Sequence, residues 1–522
     1  MLRPLVLAAL MISATAGAQE LRIAMKAAVD SADPHLTYTP NRNVGIHVFE
    51  TLVDLDPQLR PIPGLAESWR PVDPLTWEFT LRENVRFHDG SPFTAEDAAF
   101  SIRRAQSITG ARTYANAVRN IAEAEARDAR RLVLRMKAPT PLQPNFLAQI
   151  GMVSARASVD AAEGDFNGGR AGIGTGPYRW VRWTPGQDVV LERSATWRGT
   201  PEPWSRVTFR VISNDSARVA ALLAGDVDAI DTVPAGLQPR IRESDRTQLV
   251  STDSIFTHYL YMDSMSARIP NATGADGQPL PQNPLRDQRV RQAMTHAINR
   301  TALAERAMEG GASSAGQVSP PGFLGHDPSI PVPAYDPALS RRLLAEAGYP
   351  GGFALTIHCT NDRFAGDARV CQAIGQMLTM VGIRTSVDAL PTSIYFRRGT
   401  TLTPTGEPEL SAHLSMYGST TGIGTESITS LIRTINPGLG HGGWNRTRYS
   451  NAELDRLLTV AEEIFDADER ERAMQRALRF AVDQQALLPV FFVKMAWGIR
   501  RGLTMPARGD GFTMATAIRP AP

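Results

Sequence analysis

The residues of this 522-residue chain whose types could carry metal or redox chemistry are nine scattered histidines and two cysteines, Cys359 and Cys371. The two histidines nearest in sequence, His35 and His47, stand twelve apart. No two therefore share a helix face at i, i+4, and the HExxH zinc pattern is absent. The cysteines are too far apart for a CxxC site. Lys26, Lys137 and Lys494 are the only lysines among 55 basic residues, a skew toward arginine that reads as genomic base composition. None of the three follows a glycine, so no Walker A loop can present an amine to a phosphate. No GxSxG nucleophile elbow occurs either. The 55 basic residues face 53 acidic ones, for a formal +2. A balance that close creates no field for a nucleic-acid backbone or an anionic membrane. The chain reads as a binding protein, with no catalytic constellation, cofactor motif or metal site.

The first residues give the destination. Arg3 precedes an apolar run from Leu5 to Ile12, and small residues follow up to Ala16-Gly17-Ala18. This is the pattern of a secretory signal cleaved between Ala18 and Gln19; the alternative is a buried helix. The run is shorter than the roughly 20 residues a membrane span requires. No cysteine follows it, so no lipid anchor is indicated, and the expectation is an exported, unanchored periplasmic protein. Export permits disulfides. Cys359 ends the alternating stretch Phe353-Leu355-Ile357, and Cys371 opens the helical pattern Cys371, Ile374, Met377, Leu378. A strand-loop-helix turn brings such positions together, which predicts a Cys359–Cys371 bridge; two buried thiols are the alternative.

The elements that position these residues alternate between strand and helix. Trp77, Phe79 and Leu81 alternate with polar residues as a half-buried strand, as do Leu132, Leu134 and Met136. Asp89-Gly90-Ser91-Pro92 is a turn, and Thr94 an N-cap followed by Glu96 and Asp97. Val207, Phe209 and Val211, a helix over 215–224 stopped by Gly225, and the run Val227 to Ile230 form a β-α-β unit. Asp336-Pro337 starts a helix that Gly348 stops, followed by a strand over 353–357 and a helix over 371–380. Ser450 with Glu453 reads as a capping box for one late helix, and Asp468 with Glu471 opens the next. A buried strand runs from Leu487 to Val493. Residues 269–284 and 313–333 read as long connections. The fold class is α/β.

Several segments together match one family pattern. They are Gly64-Leu65-Ala66-Glu67-Ser68-Trp69; the run from Trp77 to Arg82; the run from Val85 to Asp97, with Phe87-His88-Asp89-Gly90 inside it; and Gly174-Thr175-Gly176-Pro177-Tyr178. Further matches are Arg289-Val290-Arg291-Gln292-Ala293, the run from Tyr335 to Pro350, and Tyr449-Ser450-Asn451. The chain resembles the bacterial extracellular solute-binding proteins of family 5, the dipeptide, oligopeptide, nickel, haem and glutathione receptors of ABC importers. The resemblance implies a two-lobed periplasmic-binding-protein fold with an inserted domain. Lobe one would comprise 19–54, 178–278 and 486–522; the insert 55–177; lobe two 279–485. It further implies a ligand held in the cleft, hinge closure upon it, and an inner-membrane ABC permease as partner to a monomer.

The same resemblance places cleft residues in the stretch before the Tyr-Ser-Asn helix, here Met416, Tyr417, Gly418, Ser419 and Thr420, with Tyr38, Arg363, Trp444 and Asn445 as further candidates. Dipeptide and oligopeptide receptors hold the peptide ammonium with an aspartate in this neighbourhood. This chain has no acid from His413 through Thr425. A buried ammonium without an acceptor is costly, so either Asp362 or Glu426 substitutes or the ligand lacks that group. Arg363 suits a ligand carboxylate. The expected function is import of peptides or a peptide-like small solute. The alternatives are a metal-chelate receptor using His35, His413 or His441, and a secreted hydrolase, for which no nucleophile–base motif exists.

Overall fold

The computed structural model describes residues 19–110, 112–364 and 366–522. The signal segment and its Ala18 lie outside them. The chain enters through strand β1 (Glu20–Met25) and leaves for a four-stranded antiparallel sheet made of β2 (Ala66–Asp73), β3 (Thr76–Leu81), β4 (Ile121–Ala126) and β5 (Arg131–Met136) in the order β2-β3-β5-β4. The alternation at 76–81 has the expected result: Trp77, Phe79 and Leu81 are buried, and Phe79 pairs with Leu132 across the ladder. Helix α1 (Ala95–Ser107) covers this sheet. Thr94 caps it reciprocally with Asp97, whose carboxylate accepts the Thr94 N–H at 2.9 Å.

The chain returns through Gly174-Thr175-Gly176-Pro177-Tyr178. The Gly176 and Tyr178 N–H groups donate to the Val48 and His47 carbonyls at 2.9 and 3.1 Å. A Cβ on Gly174 would run into the Val48 carbonyl, and one on Gly176 into that of His47. Glycine is required here because two backbones touch. Gly174→Ala should therefore cost about 3 kcal/mol through overpacking, seen as a lower urea midpoint. An unchanged midpoint would mean that the 47–48 backbone yields freely.

Beyond this crossing come β6 (Tyr178–Thr184), β7 (Asp188–Arg193), β8 (Arg206–Val211), helix α2 (Asp215–Ala224), β9 (Ala229–Ile230) and the 16-residue β10 (Thr247–Met262). Gly225 ends α2 in the left-handed conformation, as a C-terminal glycine does. Next are α3 (Gln288–Ala297), α4 (Pro337–Glu346), β11 (Phe353–Thr360), α5 (Asp367–Met380), β12 (Ile383–Leu390), α6 (Thr392–Thr400), β13 (Ala412–Tyr417), α7 (Gly424–Leu431), α8 (Ala452–Glu463), α9 (Ala467–Asp483) and the 14-residue β14 (Leu487–Arg500). Within one large mixed sheet the order is β11-β13-β10-β14-β9-β1-β8-β7-β6, with β12 on β11.

Some helix starts differ from the sequence reading. Asn451, not Ser450, caps α8, since its side-chain oxygen accepts from the Glu453 and Leu454 N–H groups. Asp466, not Asp468, caps α9. α5 begins four residues before Cys371. Asn451 starts α8 one residue later than expected, whereas Asp466 and the left-handed Gly366 start α9 and α5 earlier, nearer the preceding loop.

Strands β10 and β14 run through both halves of the molecule. Residues 247–253 pair with 494–500 and residues 257–261 with 487–492, with a register shift between Asp253 and Thr257. On one side Trp497 and Ile499 join the core of Leu21, Ile23, Val207 and Phe209. On the other, Leu260, Met262, Leu488 and Val490 join Val290, Ile357 and Ile374. Leu260, Met262, Leu488, Val490 and Phe491 therefore pack with the second half. Apolar contacts also join the early sheet domain to the second half: Leu142 with Ile423 and Met474, and Leu55, Leu59 and Ala148 with Ile255. Among the described residues no helix is long and apolar enough to cross a membrane.

Candidate functional site

Alternation along β10 and β13 makes the floor of a cavity. Tyr259 pairs with Ser415 and Tyr261 with His413, so the four share one sheet face. The intervening Leu260, Met262, Ala412 and Leu414 pack into the core behind it. Tyr395 and Phe396 come from α6, Arg363 and Phe364 from the loop after β11, and Trp444 and Arg446 from a later loop. With Phe256, Gly399, Met416, Tyr417 and Gly418 these residues enclose a cavity of about 230 Å³.

Its charge is one-sided. The Arg363 guanidinium lies 4.4 Å from the Phe396 ring centre and 4.7 Å from that of Phe364. Arg446 lies 4.9 Å from the Trp444 ring. Neither guanidinium forms an ion pair among the described residues, and no aspartate or glutamate lines the cavity. Burial lowers the Arg363 pKa from its ordinary value, yet arginine stays charged at neutral pH. Two cations held by ring faces in an acid-free, aromatic cavity suit an anionic group, and a carboxylate matches the guanidinium fork.

The loop bearing Arg363 is fixed from beneath. Cys359, at the end of β11, is disulfide-bonded to Cys371 on α5, with Cα atoms 6.4 Å apart. The Asp367 carboxylate accepts from the Thr360 hydroxyl at 2.6 Å and from the Arg363 and Phe364 N–H groups at 3.2 and 3.3 Å. Replacing both cysteines by serine should cost about 3 kcal/mol by chain entropy and loosen Arg363. Thermal melts of the oxidised protein and the double variant check this; coincident melts would show the bridge to be inert.

The structure sorts the residues expected from sequence. Arg363, Met416, Tyr417, Gly418 and Trp444 meet at the cavity. Thr420 points away from it toward the early sheet domain, where Gln149 Nε2 donates to its hydroxyl at 2.9 Å. It lines a second cavity of about 70 Å³ with Arg42, Glu50, Asp54 and Arg508. Ser419 is buried and donates, with Thr421, to the Glu426 carboxylate. Asn445 is buried and bonded to the Arg433 and Tyr449 backbone. Tyr38 is away from the cavity, beside Arg112. The substitute acids are both engaged: Glu426 as above, and Asp362 by the Thr392 N–H and hydroxyl at 2.8 and 2.5 Å. His35 bonds to the Gly151 carbonyl and Arg104. Among the described residues no three of His, Cys, Asp or Glu group to hold a metal ion. Sequence reasoning missed Arg446, Tyr259, Tyr261, Tyr395 and Phe396. The one available signal was the i, i+2 spacing of Tyr259 and Tyr261.

Comparison with known proteins adds the relationship. The profile of the bacterial extracellular solute-binding proteins, family 5 (middle region), matches residues 60–420. The glutathione-binding protein GsiB of Escherichia coli O1:K1 is 28% identical over 518 residues, covering 97% of this chain and 96% of its own. GsiB of strain K12 is 27% identical over the same shares. Among solved structures, HbpA2 from Haemophilus parasuis superposes with a TM-score of 0.82 at 20% identity, covering 96% of this chain and 100% of that one. The periplasmic binding protein DppA from Helicobacter pylori, in complex with the peptide STSA, gives 0.74 at 20%, covering 96% and 98%. With the family profile spanning more than half its length, the chain belongs to the bacterial extracellular solute-binding proteins of family 5, ABC-importer receptors that bind small solutes or peptides and do not transform them.

Proposed function

We propose that this protein is the periplasmic receptor of an ABC importer for a small, carboxylate-bearing, peptide-like solute, handed to an inner-membrane permease by the closed form. The observation that carries the reading is the pair Arg363 and Arg446, unpaired among the described residues and stacked on aromatic rings in a cavity lined by no acid. The names of the GsiB relatives put glutathione, a tripeptide with two carboxylates, first among candidates. The signal-like pattern of residues 1–18, a basic start, an apolar run and Ala16-Gly17-Ala18, supports the compartment.

Lobe one would comprise residues 19–54, β6–β9, the first part of β10 and the chain from 494 onward, the insert the four-stranded sheet domain, and lobe two the stretch between the two hinge segments. We place the hinge at residues 253–257 and 492–494, a boundary supported by the register shift in β10 and the division of core contacts around it. Closure signals occupancy only if the ligand favours the closed arrangement. The 418–422 segment suits that role. It continues directly from the cavity, and the early sheet domain reaches it through Gln149–Thr420 and through Asn145, which donates to the Thr421 carbonyl at 3.2 Å.

Calorimetric titration with glutathione, an acidic dipeptide, glutarate and lysyl-lysine amide tests the reading. The carboxylate-bearing compounds should bind and the cationic amide should not. Binding of the amide alone, or of none of them, would contradict it.

A further inference from the structure

The insert is joined to the two lobes in different ways. Both of its chain connections, at 54–55 and 177–178, lead to lobe one. There the buried Asp33 takes Arg104 of α1 in an ion pair at 2.6 Å, and Asp30 takes Arg112 at 2.7 Å. The glycines of 174–176 lie against the 47–48 backbone. Toward lobe two the insert has no chain connection, and among the described residues no ion pair crosses.

What meets lobe two is an apolar seam. Leu142, 9% exposed, packs with Ile423 and Met474, 3% and 1% exposed. Phe465, in the turn between α8 and α9, packs against the insert's own core, its ring centre 5.9 Å from that of Trp77. Two amide hydrogen bonds complete the seam, from Gln149 to the Thr420 hydroxyl at 2.9 Å and from Asn145 to the Thr421 carbonyl at 3.2 Å. The turn they grip is held within lobe two by Glu426, whose carboxylate accepts from the Ser419 and Thr421 hydroxyls.

The insert stays with lobe one, so a lobe two that turns about 253–257 and 492–494 must part this seam. Parting returns Leu142, Ile423 and Met474 to water and separates Phe465 from Trp77, which is unfavourable. The seam therefore favours the closed arrangement whether or not a solute is present.

We propose that the insert is a latch, holding lobe two closed through the seam without touching the solute. The inference rests on the hinge and lobes of the reading above and adds a role for the domain that the cavity does not use. A receptor whose binding-competent form is fractionally populated loses affinity by that fraction. Weakening the latch thus weakens every solute by one common factor, whereas loss of Arg363 acts on carboxylates.

Electron–electron distance measurements on spin-labelled protein test it. Val72 on β2, Val181 on β6 and Val460 on α8 are exposed, and both native cysteines are locked in the disulfide. Labels on Val72→Cys with Val460→Cys report insert to lobe two; labels on Val181→Cys with Val460→Cys report lobe one to lobe two. Without solute, both pairs should show a short-distance population. Gln149→Ala/Phe465→Ala should cut its ratio to the long one by about tenfold or more. Gln149→Ala alone should act in the same direction by less, and serves if the double variant fails to fold. A fixed insert distance beside a changing lobe distance would show the insert travelling with lobe two; this would overturn the latch and leave the hinge standing. A short population absent from the wild type, or equal in wild type and variants, would overturn it too. Both distances fixed in every variant, with glutathione or without, would remove the hinge beneath it.

Discussion

Arg363→Ala is expected to weaken binding of carboxylate-bearing solutes by roughly ten- to a hundredfold, the range for losing a hydrogen bond to a charged group. The magnitude follows from the surroundings. The guanidinium is clamped between Phe396 and Phe364, so little side-chain entropy remains to be lost on binding. Its N–H fork has no acid to exchange for the ligand's. Arg363→Lys should recover only part of the affinity, because a point charge lacks the fork and the ring stacking. Folding should be little affected, since the wild-type side chain makes no ion pair among the described residues and its charge is costly where it is. Calorimetry for affinity and a urea melt for stability separate the two effects. Unchanged affinity in Arg363→Ala would remove Arg363 from the site.

Acid should destabilise the protein steeply. His35 and His47 are pushed down to about 4, and His258 and His413 to about 3, in every case chiefly by burial. Neighbouring groups add to this: Arg104 at His35, Arg363 at His258, and His358 followed by Arg446 at His413. The sign is fixed by linkage. Below the ordinary histidine pKa of about 6.5 the unfolded chain takes up protons that the folded chain refuses, so stability falls as pH falls. The loss begins at about 6.5 and continues until each folded pKa is reached. At about pH 5 each of the four costs about 2 kcal/mol. Asp231, pushed up to about 6 by burial, works in the opposite direction and returns about 1 kcal/mol there. Over these five groups the loss is roughly 7 kcal/mol, comparable to the whole stability of a typical domain. Urea midpoints between about pH 7.5 and pH 5 should therefore fall sharply. A flat profile would mean that these histidines are solvated or charged in the folded protein.

The family and its structural motifs were legible in the sequence because they are local. Thr94 and Asp97 cap one helix within a single turn. The alternation at 76–81 buries one face of one strand. The glycines of 174–176 exist for a close backbone approach that no other residue tolerates. The cavity was legible only in part because it is a product of register. His413 became part of the floor through pairing with Tyr261, 152 positions earlier in the chain, and nothing near either residue announces that pairing. Trp444 and Asn445 looked equivalent in sequence, yet one faces the cavity and the other ties a turn together. Arg446, two residues on, was lost among 52 arginines. Ser419 and Thr420 lie in the expected segment but face Glu426 and Gln149, because the chain turns away from the cavity after Gly418.

The central claim is that the acid-free, two-arginine cavity holds a carboxylate-bearing solute. Native mass spectrometry of protein isolated from the periplasm of expressing cells tests it most directly. The account predicts one small carboxylate-bearing molecule bound one to one, and its loss from an Arg363→Ala/Arg446→Ala double variant. A basic or acid-free molecule in its place, or retention of the same molecule by the double variant, would contradict it.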